Sequence, residues 1–411
     1  MAGRLRFILG RAGAGKTYTC LKEIKETLAR EGEEGPALIL LVPEQAAFQM
    51  EYELFTTMQR LATARAQVLS FRRLARRVLA QAGGASRSWL GELGKRMVLR
   101  SLIQKHKDDL VLFSRSAGTP GFTESLAHTL AELKIYNISP DMLAERAQEL
   151  GPAGEETPLA GKLRDLALLY SELEAYLAPR YTDPEGYLSL LATKLGQAPL
   201  MHGARIWVDG FAGFTPQEFQ VLEGLMKTAA EVNISLCLDA ADLSRPPLET
   251  DLFHRARETY TKLLAIAQAQ GTELHLPLVL NRPEVLPPRF QDSPELAHLE
   301  RYFFSYPSRT WAGSVRSIRE VAATNPRAEV EAAAREIIYL ARDQRWRWRD
   351  IVLVVRDLEL YHDLIATVFT DYGIPYFIDR KRPVLHHPLP KLALAVWEVV
   401  NSNWSYEAVF R

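Results

Sequence analysis

Cysteine is almost missing from this chain. Cys20 and Cys237 are the only two in 411 residues, and both sit inside apolar helix or strand patterns. That excludes a disulfide framework and suits small buried side chains in a reducing compartment. No Cys/His cluster has zinc spacing. An excess of charge of one sign is missing too: Lys plus Arg and Asp plus Glu are 50 each, so any nucleic-acid-binding surface must be local. No apolar run approaches the roughly 20 residues of a membrane span. Phe7-Ile8-Leu9, between Arg6 and Gly10, is too short for a secretory signal. A cytoplasmic protein without membrane contact is expected.

What is present is an α/β alternation. Leu5 to Leu9 reads as a buried strand, Tyr18 to Arg30 as a helix, Ala37 to Val42 as a near-continuous apolar strand of the kind buried in parallel sheets, and Gln67 to Phe71 as a third strand running into a helix. From about residue 83 to 201 the pattern is helices only. Strands return at Ile206 to Asp209 and Asn233 to Asp239, completing an expected five-stranded parallel sheet. Residues 281–311, rich in Pro and charge, read as a linker. A second α/β unit is expected from strands Ile318 to Ala322, Ile351 to Val355 and Tyr376 to Ile378, with helices Arg327 to Asp343 and Leu358 to Thr370. The expected organisation is a first α/β domain in two parts, 1–82 and 202–280, around a helical insertion at 83–201. After the linker, 312–411 would be a truncated second α/β domain, and the chain is expected to be a fragment of a longer protein.

The strongest motif is Gly10-Arg11-Ala12-Gly13-Ala14-Gly15-Lys16-Thr17, a full G-x-x-x-x-G-K-[ST] match between a strand and a helix. Such a P-loop turns backbone N–H groups and a helix N-terminus toward phosphates. Lys16 is placed to bridge the β- and γ-phosphates of ATP, and Thr17 to ligate Mg²⁺. Asp209, ending an apolar strand, is the candidate second Mg²⁺ ligand, or alternatively the first half of an Asp-Gly turn. Gly210 stands where a catalytic base would be adjacent. Glu218 could approach, or could be a solvated helix residue. No catalytic residue is assigned.

Two further groups admit two readings each. Phe71 with Arg72, Arg73, Arg76 and Arg77 either stacks a base and pairs phosphates, or is a core ring under a solvated basic face. Gln45, Phe48 and Gln49, beyond the second strand, pose the same alternatives. Their place outside the carboxyl ends of parallel strands favours DNA, with Gln45, Phe48, Phe71, Arg73 and Arg76 as candidate contacts.

These residues resemble the AddB family, subunits of AddAB helicase-nucleases related to UvrD-like superfamily 1 helicases. The resemblance rests on GRAGAGKT at Gly10, LVPEQAAFQMEYEL at Leu41, QVLSFRRLARRVL at Gln67, VDGFAGFTPQEFQVLE at Val208, TNPRAEVEAAAREI at Thr324 and DYGIPYFIDRKRPVLHHPL at Asp371, in that order. It implies that the two α/β domains are RecA-like, the first with a P-loop parallel sheet and the helical insertion and the second truncated, in a module that contacts single- and double-stranded DNA, scans for a Chi sequence, and pairs with an AddA-like helicase-nuclease in a heterodimer. The family's nuclease and iron-sulfur cluster would lie beyond Arg411. Departures from working helicases are the missing N-terminal glutamine motif, Gly210 in place of the Walker B glutamate, and no Gln in Leu236 to Asp242. They point to weak or absent hydrolysis. The rivals are a working DNA-dependent ATPase, a small-molecule P-loop kinase with the helical insertion as lid, and a P-loop retained only as a structural relic.

Overall fold

The architecture is described from a computed structural model of the chain. It covers residues 3–58, 63–83, 88–119, 121–151, 157–178, 181–182, 184–244, 248–281, 285–379 and 387–410. The turn around Gly154 and the 380–386 part of the DYGIPYFIDRKRPVLHHPL motif fall outside these residues. Two compact units are present, 1–317 and 318–411.

The first unit opens with β1 (Arg4–Gly10), α1 (Lys16–Glu31), β2 (Leu38–Leu41), α2 (Ala47–Met58), β3 (Ala66–Leu69) and α3 (Phe71–Ala82). The helical region holds β4 (Ser88–Trp89), α4 (Glu92–Lys105), α5 (Phe122–Ile135), α6 (Pro140–Leu150), α7 (Pro158–Leu177), β5 (Tyr181–Thr182) and α8 (Tyr187–Lys194). The chain then returns through β6 (Arg205–Val208), α9 (Pro216–Thr228), β7 (Glu231–Cys237), α10 (His254–Gln270), β8 (Glu273–Leu274), β9 (Leu278–Val279) and α11 (Pro294–Tyr302).

One parallel sheet runs β3-β2-β6-β7-β1-β8, with β9 also on β1. The five expected strands are all in it. The sequence missed β8 and β9, two residues each, which are too short to carry a period. Because side chains alternate along each strand, the sheet has two covered faces. Leu5, Phe7, Leu9, Ile206, Val208, Ile234 and Leu236 pack on α3, α8, α9 and α10. Ile8, Leu38, Leu40 and Trp207 pack on α1 and α2. The chain is thus an α/β protein whose parallel sheet carries a helical insertion, consistent with a RecA-like fold.

The expectation of helices alone between 83 and 201 needs one correction: β4 and β5 form a two-residue parallel ladder. The insertion has its own core, including Leu99, Ile103, Leu130, Leu169 and Leu173. A buried carboxylate organises it. Asp165, 2% exposed, accepts the backbone N–H groups of Val111, Leu112 and Phe113 at 2.9, 2.8 and 2.7 Å, satisfying a turn that no ladder serves.

Residues 281–311, read as a linker, belong to the first unit instead. They contain α11 and a 3₁₀ turn over Pro288–Phe290, and they lie on the glycine-rich loop. Proline misled the reading, since both elements begin with it, where a missing N–H costs nothing. Glu295 of α11 accepts the N–H groups of Arg316 and Ser317 at 2.9 and 2.8 Å, which pulls its carboxyl down to about 2.

In the second unit, α12 (Pro326–Arg342) and α13 (Leu358–Asp371) are capped by Asn325 and Asp357. They bury Val330, Ala334, Ile337, Ile365, Val368 and Phe369 together. α14 (Pro388–Asn401) and α15 (Tyr406–Val409) follow. The three strands expected at 318–322, 351–355 and 376–378 are not formed among the described residues. A strand exists only by pairing, and Val352 and Val354, each 82% exposed, have the composition of one without the ladder. Among the described residues no helix is long and apolar enough to cross a membrane.

Candidate functional site

The glycine-rich loop joins β1 to α1 at the carboxyl end of the sheet, where the strand must turn sharply into a helix. Gly13 and Gly15 make the turn with φ of 75° and 91°, left-handed values that a Cβ penalises. The Ala14 N–H closes it on the Arg11 carbonyl at 3.3 Å. Gly15 is the N-cap of α1 and supplies no side-chain oxygen to the first turn. The opening N–H groups of that helix therefore keep their positive end free for an anion. Lys16 reaches back over the loop, its Nζ donating to the Gly10 and Arg11 carbonyls at 2.8 and 2.9 Å. Ala12 is exposed and Ala14 buried.

Thr17 and Asp209 meet. The Thr17 hydroxyl, from the first turn of α1, donates to Asp209 Oδ2 at 2.6 Å across two strands of the sheet. Asp209 follows β6 directly, is 3% exposed, and its Oδ1 accepts from the Ser235 hydroxyl of β7. A hydroxyl and a carboxylate this close, beside a helix N-terminus without a side-chain cap, are oxygen donors of the kind Mg²⁺ takes together with phosphate oxygens and water. The residues present fit a magnesium nucleotide. Gly210, with φ of 82°, turns the chain away at once. Burial pushes the Cys20 thiol up, and the charges of Asp209 and Glu23 add to it. Cys237, expected to be buried, is exposed at the end of β7, so only Cys20 fits that expectation.

Glu218 is occupied elsewhere. Its carboxylate accepts the Thr215 N–H at 2.8 Å while the Thr215 hydroxyl accepts the Glu218 N–H at 3.3 Å, a capping box that starts α9. The solvated-helix alternative was close; the sequence T-P-Q-E carried the capping signal.

Arg11 has most partners in the loop, and sequence reasoning assigned it no role of its own. Its N–H donates to Asn281 Oδ1 at 2.8 Å. Its guanidinium contacts the Glu300 carboxylate at 3.1 Å, the Glu300 carbonyl at 2.9 Å and the Asp239 carboxylate at 3.5 Å, and lies over the Phe253 ring at 5.1 Å. Ser235, Asp239, Asn281 and Glu300 escaped sequence reasoning because they come from separate segments. Only Ser235 left a trace, as a hydroxyl within an apolar strand.

The candidate DNA face divides. Phe71 is 5% exposed and packs against Phe211 and Phe214, at ring distances of 5.4 and 6.3 Å, so it is a core residue and cannot stack a base. The reason is local: Ser70 caps α3, and Phe71 then begins the buried stripe Phe71, Leu74, Ala75, Val78, Leu79. The opposite face leaves Arg72, Arg73, Arg76 and Arg77 exposed. Arg73 lies 3.8 Å from Glu44 and 3.7 Å from Glu51, which joins α3 to the start of α2. Gln45 and Phe48 are exposed there, Phe48 by 77%. Burial pushes the Tyr187 phenol up, and the charges of Arg76 and Arg72 draw it part of the way back. Gln45, Phe48 and Arg76 are thus exposed to a ligand, Arg73 is exposed but paired with Glu44 and Glu51, and Phe71 is buried. Among the described residues no group of three or more His, Cys, Asp or Glu side chains could hold a metal on its own.

A sequence profile of the family described as "ADDB, N-terminal" matches residues 7–300. The chain is 54% identical over 410 residues to an ATP-dependent helicase/deoxyribonuclease subunit of Moorella thermoacetica, covering 99% of this chain and 35% of that protein. It is 52% identical over 407 residues to the protein of the same name from Desulforudis audaxviator, with 99% and 34% covered, and 42% identical over 410 residues to that of Bacillus cereus, with 99% and 34% covered. The chain spans about a third of the length of the curated relatives it matches. Through that match, which includes the glycine-rich loop and the Asp209 strand, the chain belongs to the AddB family, in the region of its N-terminal profile.

Proposed function

We propose that this chain is a nucleotide-binding, DNA-binding, helicase-like module of a complex that resects double-strand breaks for recombination. The observation that carries the nucleotide half is the Thr17–Asp209 contact at 2.6 Å beside an uncapped helix N-terminus and two left-handed glycines. On this reading Gly10 to Thr17 is a P-loop for ATP. Loop N–H groups and Lys16 would hold phosphate oxygens, and Thr17 and Asp209 would hold Mg²⁺, which supplies charge neutralisation at the phosphates. Lys16 must then leave the Gly10 and Arg11 carbonyls.

Hydrolysis is expected to be weak or absent. An attacking water needs an oriented base, yet Gly210 follows Asp209 and Glu218 is committed to its capping box. The relatives' name, which makes each of them one subunit of a helicase/deoxyribonuclease, supports an AddA-like partner and DNA as substrate. The exposed set Gln45, Phe48, Arg73 and Arg76 supplies a ring, an amide and guanidinium groups at the carboxyl end of the sheet, the chemistry of single-strand contact and of Chi scanning.

The test combines single-strand DNA affinity with ATP turnover. Arg76→Ala and Phe48→Ala are expected to weaken DNA binding several-fold, with turnover near background even when DNA is added. Robust, Lys16-dependent turnover with DNA would replace this reading by that of a working DNA-dependent ATPase.

A further inference from the structure

The segment after β9 crosses the glycine-rich loop. The Arg289 N–H points at the Gly13 carbonyl at 3.4 Å, and Pro288 and Phe290 lie over the loop. A Cβ on Gly13 would come within 2.8 Å of the Phe290 ring and 3.1 Å of Arg289 Cβ, and one on Gly15 within 4.0 Å of Pro288. One helix later the chain closes on the loop again: Glu300 of α11 holds Arg11 with both carboxylate oxygens, at 3.1 and 3.2 Å from Nε, and with its carbonyl. The Arg11 side chain is 14% exposed and that of Glu300 18%, so the pair is shielded from most of the solvent screening that weakens surface pairs.

Two features make this arrangement unfavourable to a polyanion. Glu300 and Asp239 bring two carboxylates to the rim of a loop that must accept phosphates. Arg11, the loop's own guanidinium, has its charge directed at those carboxylates and at the carbonyls of Glu300 and Arg301 instead of at the phosphate position. Asn281 holds the Arg11 backbone from the same side.

We propose that residues 288–301 are a strap over the nucleotide site, bolted by Arg11–Glu300, and that strap closure and nucleotide binding oppose each other. Arg11 is the positioning residue of this coupling. Free of Glu300, it turns toward phosphate and releases α11; with the site vacated, it pulls α11 back. By reciprocity the nucleotide loosens the strap by the same factor by which the closed strap weakens the nucleotide. The proposal rests on the nucleotide-binding reading above, and its test separates the two.

Glu300→Gln keeps the side-chain shape and removes the charge. Hydrogen exchange of 288–303 reports the strap without any nucleotide, and calorimetry with ATP and Mg²⁺ reports the site. Expected are faster exchange across 288–303 and about tenfold tighter ATP binding, the size of one partly shielded ion pair given up. ATP added to the unaltered protein should speed the same exchange. Phe290→Ala, which removes the roof and no charge, is expected to act in the same direction. Faster exchange with unchanged or weaker ATP affinity would overturn the strap and leave the nucleotide site standing. Unchanged exchange in Glu300→Gln would overturn the bolt. Absence of ATP binding in the unaltered protein and in both variants would overturn the nucleotide reading, and the strap with it.

Discussion

Asp209→Asn separates a structural aspartate from a magnesium ligand. In the fold, the carboxylate accepts the Thr17 hydroxyl at 2.6 Å in a partly buried bond and the Ser235 hydroxyl in a buried one, both charge-assisted. Such bonds contribute about 1.5–3 kcal/mol each. Asparagine keeps one acceptor oxygen, and the hydroxyl facing its amide can rotate to accept, so the expected loss of stability is about 1–2 kcal/mol. Asp209→Ala, which strands both hydroxyls, should cost about 3–4 kcal/mol. A metal role adds a different signature. Removing the charge should lower the Mg²⁺-dependent part of ATP affinity about 10–100-fold, or about 1.4–2.7 kcal/mol, and leave affinity measured in EDTA nearly unchanged. Urea denaturation gives the first quantity and calorimetry with and without Mg²⁺ the second. If Asp209→Asn keeps the full magnesium enhancement of ATP binding, Asp209 is a fold residue alone and the metal assignment to Thr17 and Asp209 fails.

Phe71→Ala should destabilise the protein by about 3–5 kcal/mol, since its ring fills the core against Phe211 and Phe214. At low temperature, where the variant remains folded, DNA affinity should not change; a selective loss of DNA binding at intact stability would return Phe71 to the surface. Arg65, whose side chain is 2% exposed, donates to the Pro36 and Gly32 carbonyls and to Glu31 at 2.9, 2.7 and 2.6 Å, so Arg65→Ala should cost about 2–4 kcal/mol in urea unfolding. The Glu295 carboxyl falls from its ordinary 4.5 to about 2 on folding. A lowered value stabilises above 4.5 and loses that contribution as pH falls toward 2, so protection of the Arg316 and Ser317 amides should fade through this window, and Glu295→Gln should remove the pH dependence.

The sheet was legible because its five longer strands are apolar runs closed by turn residues, and a buried parallel strand needs nothing else. The glycine-rich loop was legible because its chemistry is contiguous. Phe71 was not, since the same ring before four arginines serves a base or a core equally well, and only the Ser70 cap sets the helix phase that turns it inward. The segment at 288–301 was hidden for the opposite reason: prolines that suggest a linker in fact start a 3₁₀ turn and a helix, and its purpose lies in contacts about 290 positions away along the chain, such as Arg11 to Glu300. The strands expected in 318–411 show the limit of composition, because Val352 and Val354 have strand character but no hydrogen-bonded neighbour.

Nucleotide binding at Gly10 to Thr17 is the claim on which the rest depends. Calorimetric titration of the protein and of Lys16→Ala with ATP and Mg²⁺ tests it most directly. Lys16 is partly exposed but its Nζ donates to the Gly10 and Arg11 carbonyls, so its removal should cost about 1–2 kcal/mol of stability, and urea denaturation shows that the variant is still folded at the titration temperature. Saturable binding by the unaltered protein, weakened at least tenfold in Lys16→Ala, is the predicted result. Equal affinity in the two proteins, or no binding by either, would contradict the account.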